Sequence, residues 1–383
     1  MRVYTLQDDQ VALVDAVREF CLDRLAPVAA ADDANEHFRM DLFRAMGEQG
    51  FCGIPTPEAY GGLGLGYMEY ALVLEEIARH SAAWAVTVAV TGLPQIILRT
   101  YGDEAQRERW MPGLASGEIL GAFALSEPGS GSDAAALKTT AVRDGDDYVL
   151  NGTKFWITSG GVADLYVVMA RTGGPGAGGI SAFLVPAGTP GLSFGRKEEK
   201  MGLRSSPTAE VILEDVRVPA THRIGPEGVG FKVALSALDS GRITIAAISV
   251  GLSAVATAYA ARYATEREQF NTAIIDFQGV GFLLADMATR TDAARLLVHR
   301  AASLRDAGLP YALEAAMAKV NATDTAMAVT TDAVQVMGGY GYTREHPLER
   351  YMRDAKVMQI VEGTNQIQRL VIARHLKKRY TER

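Results

Sequence analysis

Apolar and polar positions along the chain change their spacing twice. Up to about residue 115, and again from about 228 to 378, apolar side chains recur at helical spacing, as in residues 68–78. Between about 118 and 218 the chain forms short β-rich runs separated by turn residues, with no long helical pattern between them. Because a βαβ fold needs helices between its strands, this pattern favours an antiparallel sheet. We predict strands at residues 119–125, 138–143, 154–158, 164–171, 180–186 and 210–218.

The change in pattern predicts an α+β protein of three domains. We expect an N-terminal helical domain at residues 1–116, a middle antiparallel β domain at 117–226 and a C-terminal helical bundle at 227–383. Asn151-Gly152 predicts a tight turn that leads into a strand. The glycine-rich residues 173–179 predict an exposed hairpin tip.

Composition narrows the class of protein. Of the 383 residues, 48% are hydrophobic and 22% charged, which is ordinary for a globular chain. The net charge of −7, with no basic stripe to offset it, argues against a nucleic-acid partner. Two cysteines are too few for a disulfide framework, and residues 1–10 lack the pattern of a secretory signal. We therefore expect a cytoplasmic protein.

One segment is long enough to span a bilayer. Residues 243–261 read ITIAAISVGLSAVATAYAA and are flanked by Arg242 and Arg262. The segment is built mostly from Ala, Ser, Thr and Gly, which allow close helix packing inside a bundle. We expect a buried helix and no membrane insertion.

A loop rich in glycine and serine follows the first predicted strand. Residues 123–133 read FALSEPGSGSD. Backbone amides freed by glycine, with hydroxyl groups beside them, suit a pyrophosphate or the edge of a flavin. Such loops are also common without a ligand, so this segment alone leaves both interpretations open.

A second segment places an aromatic ring beside a hydroxyl group. In residues 151–158, NGTKFWIT, a period of two puts Trp156 and Thr158 on one face of a strand. That pair is suited to cover a flavin ring and donate to a ring nitrogen. Taken alone, a tryptophan in the core beside a threonine of the sheet is the simpler interpretation.

A third segment presents a carboxylate at a break between two helices. An apolar helix end leads to Glu362-Gly363, after which Thr364 can cap a helix that continues to about residue 378. Apolar neighbours, Ile360 and Val361, favour a raised pKa for Glu362 and a role as a base. A solvated loop glutamate is the alternative.

Two further segments suit a dinucleotide. Arg267 can bind a diphosphate through two hydrogen bonds, and Phe270 can stack on a base. Residues 335–341 read QVMGGYG, where Gly338-Gly339 allows close approach of the backbone to a ligand.

Taken in order, these segments resemble the acyl-CoA dehydrogenase family, and the similarity covers essentially the whole chain. The matching motifs are FCGIPTPEAYGGLG at 51–64, SEPGSGSD at 126–133, GTKFWIT at 152–158, KMGLRSSPTAE at 200–210, EREQF at 266–270, QVMGGYG at 335–341, RYMRDAK at 350–356 and EGTNQIQR at 362–369.

The resemblance implies a fold, an assembly and a cofactor. It implies a helical domain, a β domain and a C-terminal four-helix bundle, assembled as a homotetramer with FAD between the last two domains. No metal is expected. The FAD-binding positions implied are Phe123, Leu125, Ser126, Gly131, Ser132, Trp156, Thr158, Arg267, Phe270, Gln278, Gln335, Gly338, Gly339, Thr364 and Gln366, of which Arg267, Phe270 and Gln278 reach the FAD of a partner chain.

The resemblance also implies the reaction. An acyl-CoA thioester would be oxidised to the trans-2-enoyl thioester, with Glu362 taking the α proton and flavin N5 accepting the hydride. The family's second base position falls at Gly241, which leaves Glu362 as the candidate. Electrons would pass to an electron-transfer flavoprotein. Substrate contacts are implied at Ser132, Asp239, Arg242 and Gly363.

Three alternatives remain open. One is dehydrogenation of an acyl group on a carrier protein, the second an oxidase that uses O₂, and the third a flavoprotein without turnover, against which retention of Glu362 argues. Two departures bear on the substrate and the cofactor. Val361 stands where many members carry Tyr, and Asn271 stands where the family usually has Gly.

Overall fold

The computed structural model describes residues 6–381. Six helices form the N-terminal region, and several begin with a capping residue that the sequence supplies. In α6, for example, the Asp103 side chain accepts a hydrogen bond from the backbone N–H of Gln106, and Gln106 bonds back to the N–H of Asp103. The helices are α1 (Asp8–Phe20), α2 (Ala26–Asn35), α3 (Met40–Glu48), α4 (Tyr67–His80), α5 (Ala82–Tyr101) and α6 (Glu104–Ser116).

The middle of the chain is an eight-stranded sheet in the order β6-β7-β3-β2-β4-β5-β8, with β1 paired to β4. Most pairs are antiparallel, as the sequence predicts, but β1 runs parallel to β4, and β2 meets β4 in a single parallel pair. The strands are β1 (Gly121–Ala124), β2 (Thr140–Asp144), β3 (Asp147–Thr158), β4 (Leu165–Arg171), β5 (Ile180–Pro186), β6 (Leu192–Phe194), β7 (Thr208–Pro219) and β8 (Arg223–Ile224).

Two of the predicted turns have different outcomes. The glycine-rich residues 173–179 do form the tip between β4 and β5, which is exposed except at Gly179. The turn predicted at Asn151-Gly152 is wrong, because both residues lie inside the long strand β3, opposite β7. Asn151 and Asp215 exchange two hydrogen bonds, of 3.0 and 2.8 Å, and these extend the pairing across an irregularity at Gly152.

The C-terminal region is helical again. Helices α7, α8 and α9 pack against one another, α10 and α11 lie on α9, and the N-terminal helices α4 and α5 lie on α7. A two-stranded hairpin, β9 (Glu268–Gln269) and β10 (Thr272–Ala273), follows α7. The helices are α7 (Gly230–Glu266), α8 (Gln278–Asp306), α9 (Ala312–Met337), α10 (Leu348–Met358) and α11 (Asn365–Thr381). The predicted domain boundaries fall in the α6–β1 and β8–α7 connections.

Two helices, α5 and α7, are long and apolar enough to cross a membrane by length and composition alone. Their most apolar windows are 89% and 72% buried inside the protein, respectively, so this is weak evidence for a span. Residues 243–261 belong to α7, where small side chains permit close contact. A Cβ added at Gly251 would lie 2.8 Å from the Cβ of Ala78 on α4. The predicted buried helix is therefore confirmed.

Candidate active site

Residues 359–364, which we call the elbow, connect α10 to α11 and carry Glu362. Glu362 has a φ of 55° and Gly363 a φ of 86°, so two consecutive residues are left-handed. The side chain of Gln368 donates to the carbonyl oxygens of both, at 3.2 and 2.9 Å. The Thr364 hydroxyl accepts from the N–H of Ile367 at 3.3 Å, which confirms the predicted cap of α11.

The carboxylate of Glu362 points into the protein. The residue as a whole is partly exposed, but its Oε2 atom is buried and has no hydrogen-bond partner among the described residues. Burial raises the pKa of Glu362 to about 7, and the positive charges of Arg242 and Lys319 oppose that rise. The alternative of a solvated loop glutamate is therefore wrong.

The carboxylate lies directly against α7 at Gly241. A Cβ added to Gly241 would be 2.8 Å from the carboxyl carbon of Glu362, closer than real side chains approach one another. The structure thus brings the two base positions of the resemblance into one place, and a side chain at residue 241 would displace the Glu362 carboxylate.

Arg242 follows Gly241 on α7 and is only 5% exposed. One of its guanidinium nitrogens donates to the carboxylate of Asp239, while its Nε is buried without a partner in the described chain. Burial raises the pKa of Asp239, opposed by Arg242 and His375. The charge of Arg242 acts on the Glu362 carboxylate, so the structure places this arginine in the interior near the candidate base, while Asp239 is partly exposed.

A buried lysine beneath the elbow was missed by the sequence analysis. Lys319 of α9 is fully buried, and its ammonium donates to the carbonyl of Gly363 at 3.0 Å and to the side chain of Asn365 at 2.9 Å. Burial lowers its pKa to about 7. The available signal was a single charge in the otherwise small and apolar run AAMAKV at residues 315–320.

The loop after β1 is held by a buried ion pair that was also missed. The Lys154 ammonium donates to the Leu125 carbonyl at 3.1 Å and to the Glu127 carboxylate at 2.8 Å. Glu127 also accepts the backbone N–H groups of Lys138 and Thr139. Burial lowers the pKa of Lys154 to about 8, opposed by Glu127. The flanking positions Phe123, Ser126, Gly131 and Ser132 are partly or fully exposed.

Trp156 lies at a β-bulge near the end of β3. Its φ is 62°, and the pairing with β7 shifts between Lys154 and Ile157. The bulge interrupts the alternation from which a shared face with Thr158 was predicted. Trp156 is 60% exposed, so the alternative of a core tryptophan is wrong. Thr158 is half-buried, and its hydroxyl has no hydrogen-bond partner within residues 6–381.

The remaining candidates lie on the outer surface of the C-terminal region. Phe270 is 89% exposed at the tip of the β9–β10 hairpin. The guanidinium carbon of Arg267 lies 5.9 Å from the centre of the Tyr340 ring, which brings the hairpin next to the turn after α9. The positions Gln278, Gln335, Gly338, Gly339 and Gln366 are also exposed, and Thr364 is half-buried.

Three family models cover nearly all of the described chain in order. The N-terminal domain of acyl-CoA dehydrogenase matches residues 7–118, its middle domain residues 122–216 and its C-terminal domain residues 228–377. A short-chain specific acyl-CoA dehydrogenase of Clostridium acetobutylicum is 43% identical over 97% of this chain and 98% of its own. The chain belongs to the acyl-CoA dehydrogenase family. Family members are flavoproteins.

Solved structures agree with this family at the level of the whole fold. Butyryl-CoA dehydrogenase from Megasphaera elsdenii superposes with a TM-score of 0.96 at 41% identity, over 98% of this chain and all of that one. A chain from the structure of the electron transferring flavoprotein of Acidaminococcus fermentans also gives 0.96, at 46% identity, over 98% and 99% of the two chains. The predicted fold class is confirmed.

Asn271 is a departure from the acyl-CoA dehydrogenase pattern that the backbone explains. Phe270 and Asn271 have φ values of 53° and 60°, so the tip of the hairpin is left-handed at both positions. Asparagine tolerates this conformation better than most other residues with a side chain, so it can occupy a left-handed position that also suits glycine. No cluster of His, Cys, Asp or Glu suited to a metal ion occurs among the described residues.

Proposed function

We propose that the protein oxidises a short acyl-CoA thioester to the trans-2-enoyl-CoA, with Glu362 as the base that removes the α proton. The observation that carries this proposal is the Glu362 carboxylate, which faces Gly241 and whose buried Oε2 has no hydrogen-bond partner among residues 6–381. The names of the relatives, short-chain specific and butyryl-CoA dehydrogenase, support a short acyl group. They favour neither a carrier-bound substrate nor an oxidase.

The donor groups of this chain fit FAD. The hydroxyls of Ser126, Ser132 and Thr158 make no hydrogen bond within residues 6–381, and the ring of Trp156 is exposed beside them. Open space surrounds Gly131, Gly338 and Gly339, which leaves room for a ligand against the backbone. When bound, FAD supplies the oxidation by accepting the hydride from the β carbon.

We assign the FAD contacts to three groups of residues. Around the flavin they are Phe123, Leu125, Ser126, Gly131, Ser132, Trp156 and Thr158. Along the phosphates, Thr364 and Gln366 lie at the N-terminus of α11, where backbone N–H groups favour anions. Toward the adenosine of a partner chain's cofactor they are Arg267, Phe270, Gln278, Gln335, Gly338 and Gly339.

Glu362 is suited to its role by its surroundings. Desolvation makes its carboxylate a stronger base than a solvated glutamate, and Arg242 and Lys319 keep the ionised form accessible near neutral pH. Its own backbone N–H makes no hydrogen bond within the described chain and is free to donate to the thioester carbonyl. That bond would stabilise negative charge on the carbonyl oxygen as the α proton leaves. Gly363, Ser132, Asp239 and Arg242 complete the proposed substrate side.

Assembly, electron acceptor and location belong to the same proposal. The exposed aromatic side chains Phe270, Phe282 and Tyr342 support burial of this surface by a second copy in a homotetramer. A structure named for an electron transferring flavoprotein contains a chain 46% identical to this one, which supports such a flavoprotein as the acceptor. We place the protein in the cytoplasm, in keeping with two buried thiols and no disulfide.

Anaerobic flavin bleaching tests the proposal. Purified yellow protein should bleach with butyryl-CoA, and more slowly as the acyl chain lengthens. Glu362→Gln should keep its flavin and bleach with dithionite, but lose at least about 100-fold in its rate with butyryl-CoA. Near-normal bleaching of Glu362→Gln would remove the base assignment.

Two outcomes would redirect the substrate or acceptor. Bleaching of the wild type by acyl-carrier thioesters alone would overturn the CoA assignment. Rapid formation of peroxide in air, at the rate of turnover, would replace the flavoprotein acceptor by oxygen.

A further inference from the structure

The elbow is tied to α9 through one charged side chain. Lys319 donates to the Gly363 carbonyl at 3.0 Å and to the Asn365 side-chain oxygen at 2.9 Å, so it binds both sides of the residue that caps α11. Its side chain is fully buried. A buried ammonium is costly unless its donors are used, and within residues 6–381 the acceptors of Lys319 belong to Gly363 and Asn365.

Further hydrogen bonds connect the same segment to Thr323 and Asp324, which lie about one turn after Lys319 on α9. The Asn365 side chain donates to Asp324 at 2.7 Å and to Thr323 at 2.8 Å. Gln359, at the start of the elbow, donates to the same Asp324 oxygen at 2.6 Å, and its carbonyl accepts the N–H of Asn365 at 3.0 Å. Both ends of the elbow are therefore attached to one short stretch of α9.

The elbow needs such support because its backbone is unfavourable. Glutamate at a φ of 55° is in a region that residues with a side chain rarely adopt. Residues held in this region persist only where their surroundings leave them no alternative. Without the bonds to residues 363 and 365, Glu362 would relax toward an ordinary conformation and its carboxylate would leave Gly241.

We propose that Lys319 is the positioning residue of the active site, which holds Glu362 in place through the Gly363 carbonyl and favours its ionised form by charge. This inference rests on the proposed function, in which Glu362 acts as the base. In that scheme Lys319 contacts neither substrate nor flavin. Its side chain has two roles, which are to hold the backbone of the elbow and to supply a positive charge near Glu362.

The charges around the two groups support the electrostatic task. Arg242 from α7 and Lys319 from α9 are the cations that act on Glu362, and both lower its pKa against the larger effect of burial. Around Lys319, burial lowers the pKa, Glu362 and Asp324 raise it, and Arg242 lowers it. Loss of the Lys319 charge must therefore raise the pKa of Glu362 further above its usual value.

The test titrates Glu362 directly and does not depend on turnover. The measurement uses the holoenzyme without substrate. It follows, as a function of pH, the infrared band of the protonated Glu362 carboxyl, which is identified by its absence in Glu362→Gln. In Lys319→Met, we expect its midpoint to rise by about one pH unit. Anaerobic bleaching by butyryl-CoA at pH 7 should fall at least about fivefold, as the ionised fraction falls from about one half to one tenth.

Three further variants separate charge from mechanical support. Lys319→Arg keeps the charge and should hold the midpoint at or below the wild-type value. Gln368→Met removes an uncharged donor to the elbow, so bleaching should slow while the midpoint stays. Thr330→Val is the matched control, because Thr330 is buried on α9 and bonds only within its own helix. It should change neither quantity.

Each result decides the inference. An unchanged midpoint in Lys319→Met, or a midpoint in Lys319→Arg as high as in Lys319→Met, overturns it. If Lys319→Met does not fold with flavin, a raised midpoint in Lys319→Arg or unaltered bleaching in Gln368→Met overturns the inference instead. Should the midpoint shift as expected while wild-type protein bleaches with no thioester, the inference stands and the proposed function falls.

Discussion

Gly241 on α7 and Glu362 in the elbow compete for one space, and Glu362 occupies it. A single added carbon at residue 241 would lie 2.8 Å from the carboxyl carbon of Glu362. A side chain at 241 would therefore have to displace the Glu362 carboxylate from its present position.

Gly241→Ala tests this competition. The added methyl group must displace the Glu362 carboxylate, and a displacement of about 1 Å costs on the order of 100-fold in rate. We expect butyryl-CoA to bleach the flavin of this variant about 100 times more slowly, with normal flavin content. In the exchange variant Gly241→Glu with Glu362→Gly, part of the rate should return. A wild-type rate in Gly241→Ala would show that the elbow can move aside at no cost.

The raised pKa of Glu362 makes stability and activity change with pH in opposite directions. The folded state holds the Glu362 proton up to about pH 7, whereas the unfolded chain releases it near pH 4.5. The protonated carboxyl therefore contributes stability that is fully present below about pH 4.5 and is lost as pH rises through 7. Proton abstraction needs the ionised form, so bleaching by butyryl-CoA should accelerate over that upper range.

Thermal unfolding of Glu362→Gln measures the stability side of this relationship. Because the amide does not titrate, the free energy of unfolding of the variant should increase relative to that of the wild type as pH rises, by about 1–3 kcal/mol between pH 5 and pH 8. Asp239 titrates in both proteins, and because Glu362 raises the pKa of Lys319, the difference reports Glu362 together with its coupling to Lys319. A pH-independent difference would show that the carboxyl is ordinary in the folded protein.

The buried pair of Lys154 and Glu127 should be essential to the loop after β1. Glu127→Gln leaves the fully buried Lys154 ammonium without its counter-ion, and breaking such a pair costs about 3–5 kcal/mol. We expect lower stability to denaturant and loss of flavin on dialysis. The double variant Glu127→Leu with Lys154→Met removes both charges and should recover much of the stability. Equal stability of the single and double variants would contradict this.

Arg267→Ala should release flavin if this arginine binds a partner's cofactor. The control is Arg262→Ala, five residues earlier near the end of α7, where the side chain is 82% exposed and forms an ion pair with Glu266. We expect dialysis to deplete flavin from the first variant and not from the second, and gel filtration to show a shift toward smaller assemblies only in the first. Equal retention in both would remove Arg267 from the cofactor site.

The helix–sheet–helix order and the elbow could be predicted because their signals are local. Thr364 after a glycine marks the start of α11, and the glycine-rich residues 173–179 mark a hairpin tip. The turn predicted at Asn151-Gly152 was wrong for the same reason, because that prediction used only a local signal. The local preference of these two residues is a turn, but pairing with β7 and the bonds to Asp215 outweigh that preference. The parallel pairing of β1 with β4 depends on residues far apart in sequence.

Buried charges were the part that local patterns could not reveal. A lysine in a helix or strand predicts a solvent-facing position, and its burial depends on an acceptor that another element brings to it. Lys319 finds its acceptors 44 and 46 residues later in the chain, and Lys154 finds Glu127 on the loop after β1. Lys319 lies next to the elbow and Lys154 next to the Gly/Ser loop, and these are two segments that the sequence did identify.

Helix α9 carries Lys319 beneath the elbow and Gln335 beside the turn proposed for the adenosine. Sixteen residues separate them, which in an α-helix is about 24 Å. The helix therefore sets the span between the base of this chain and the proposed contact to the partner chain's cofactor. Deleting one residue between them would shorten that span by about 1.5 Å and rotate one end about 100° against the other. A change in the length of this part of α9 would therefore alter how the base of one subunit is placed relative to the cofactor of its partner.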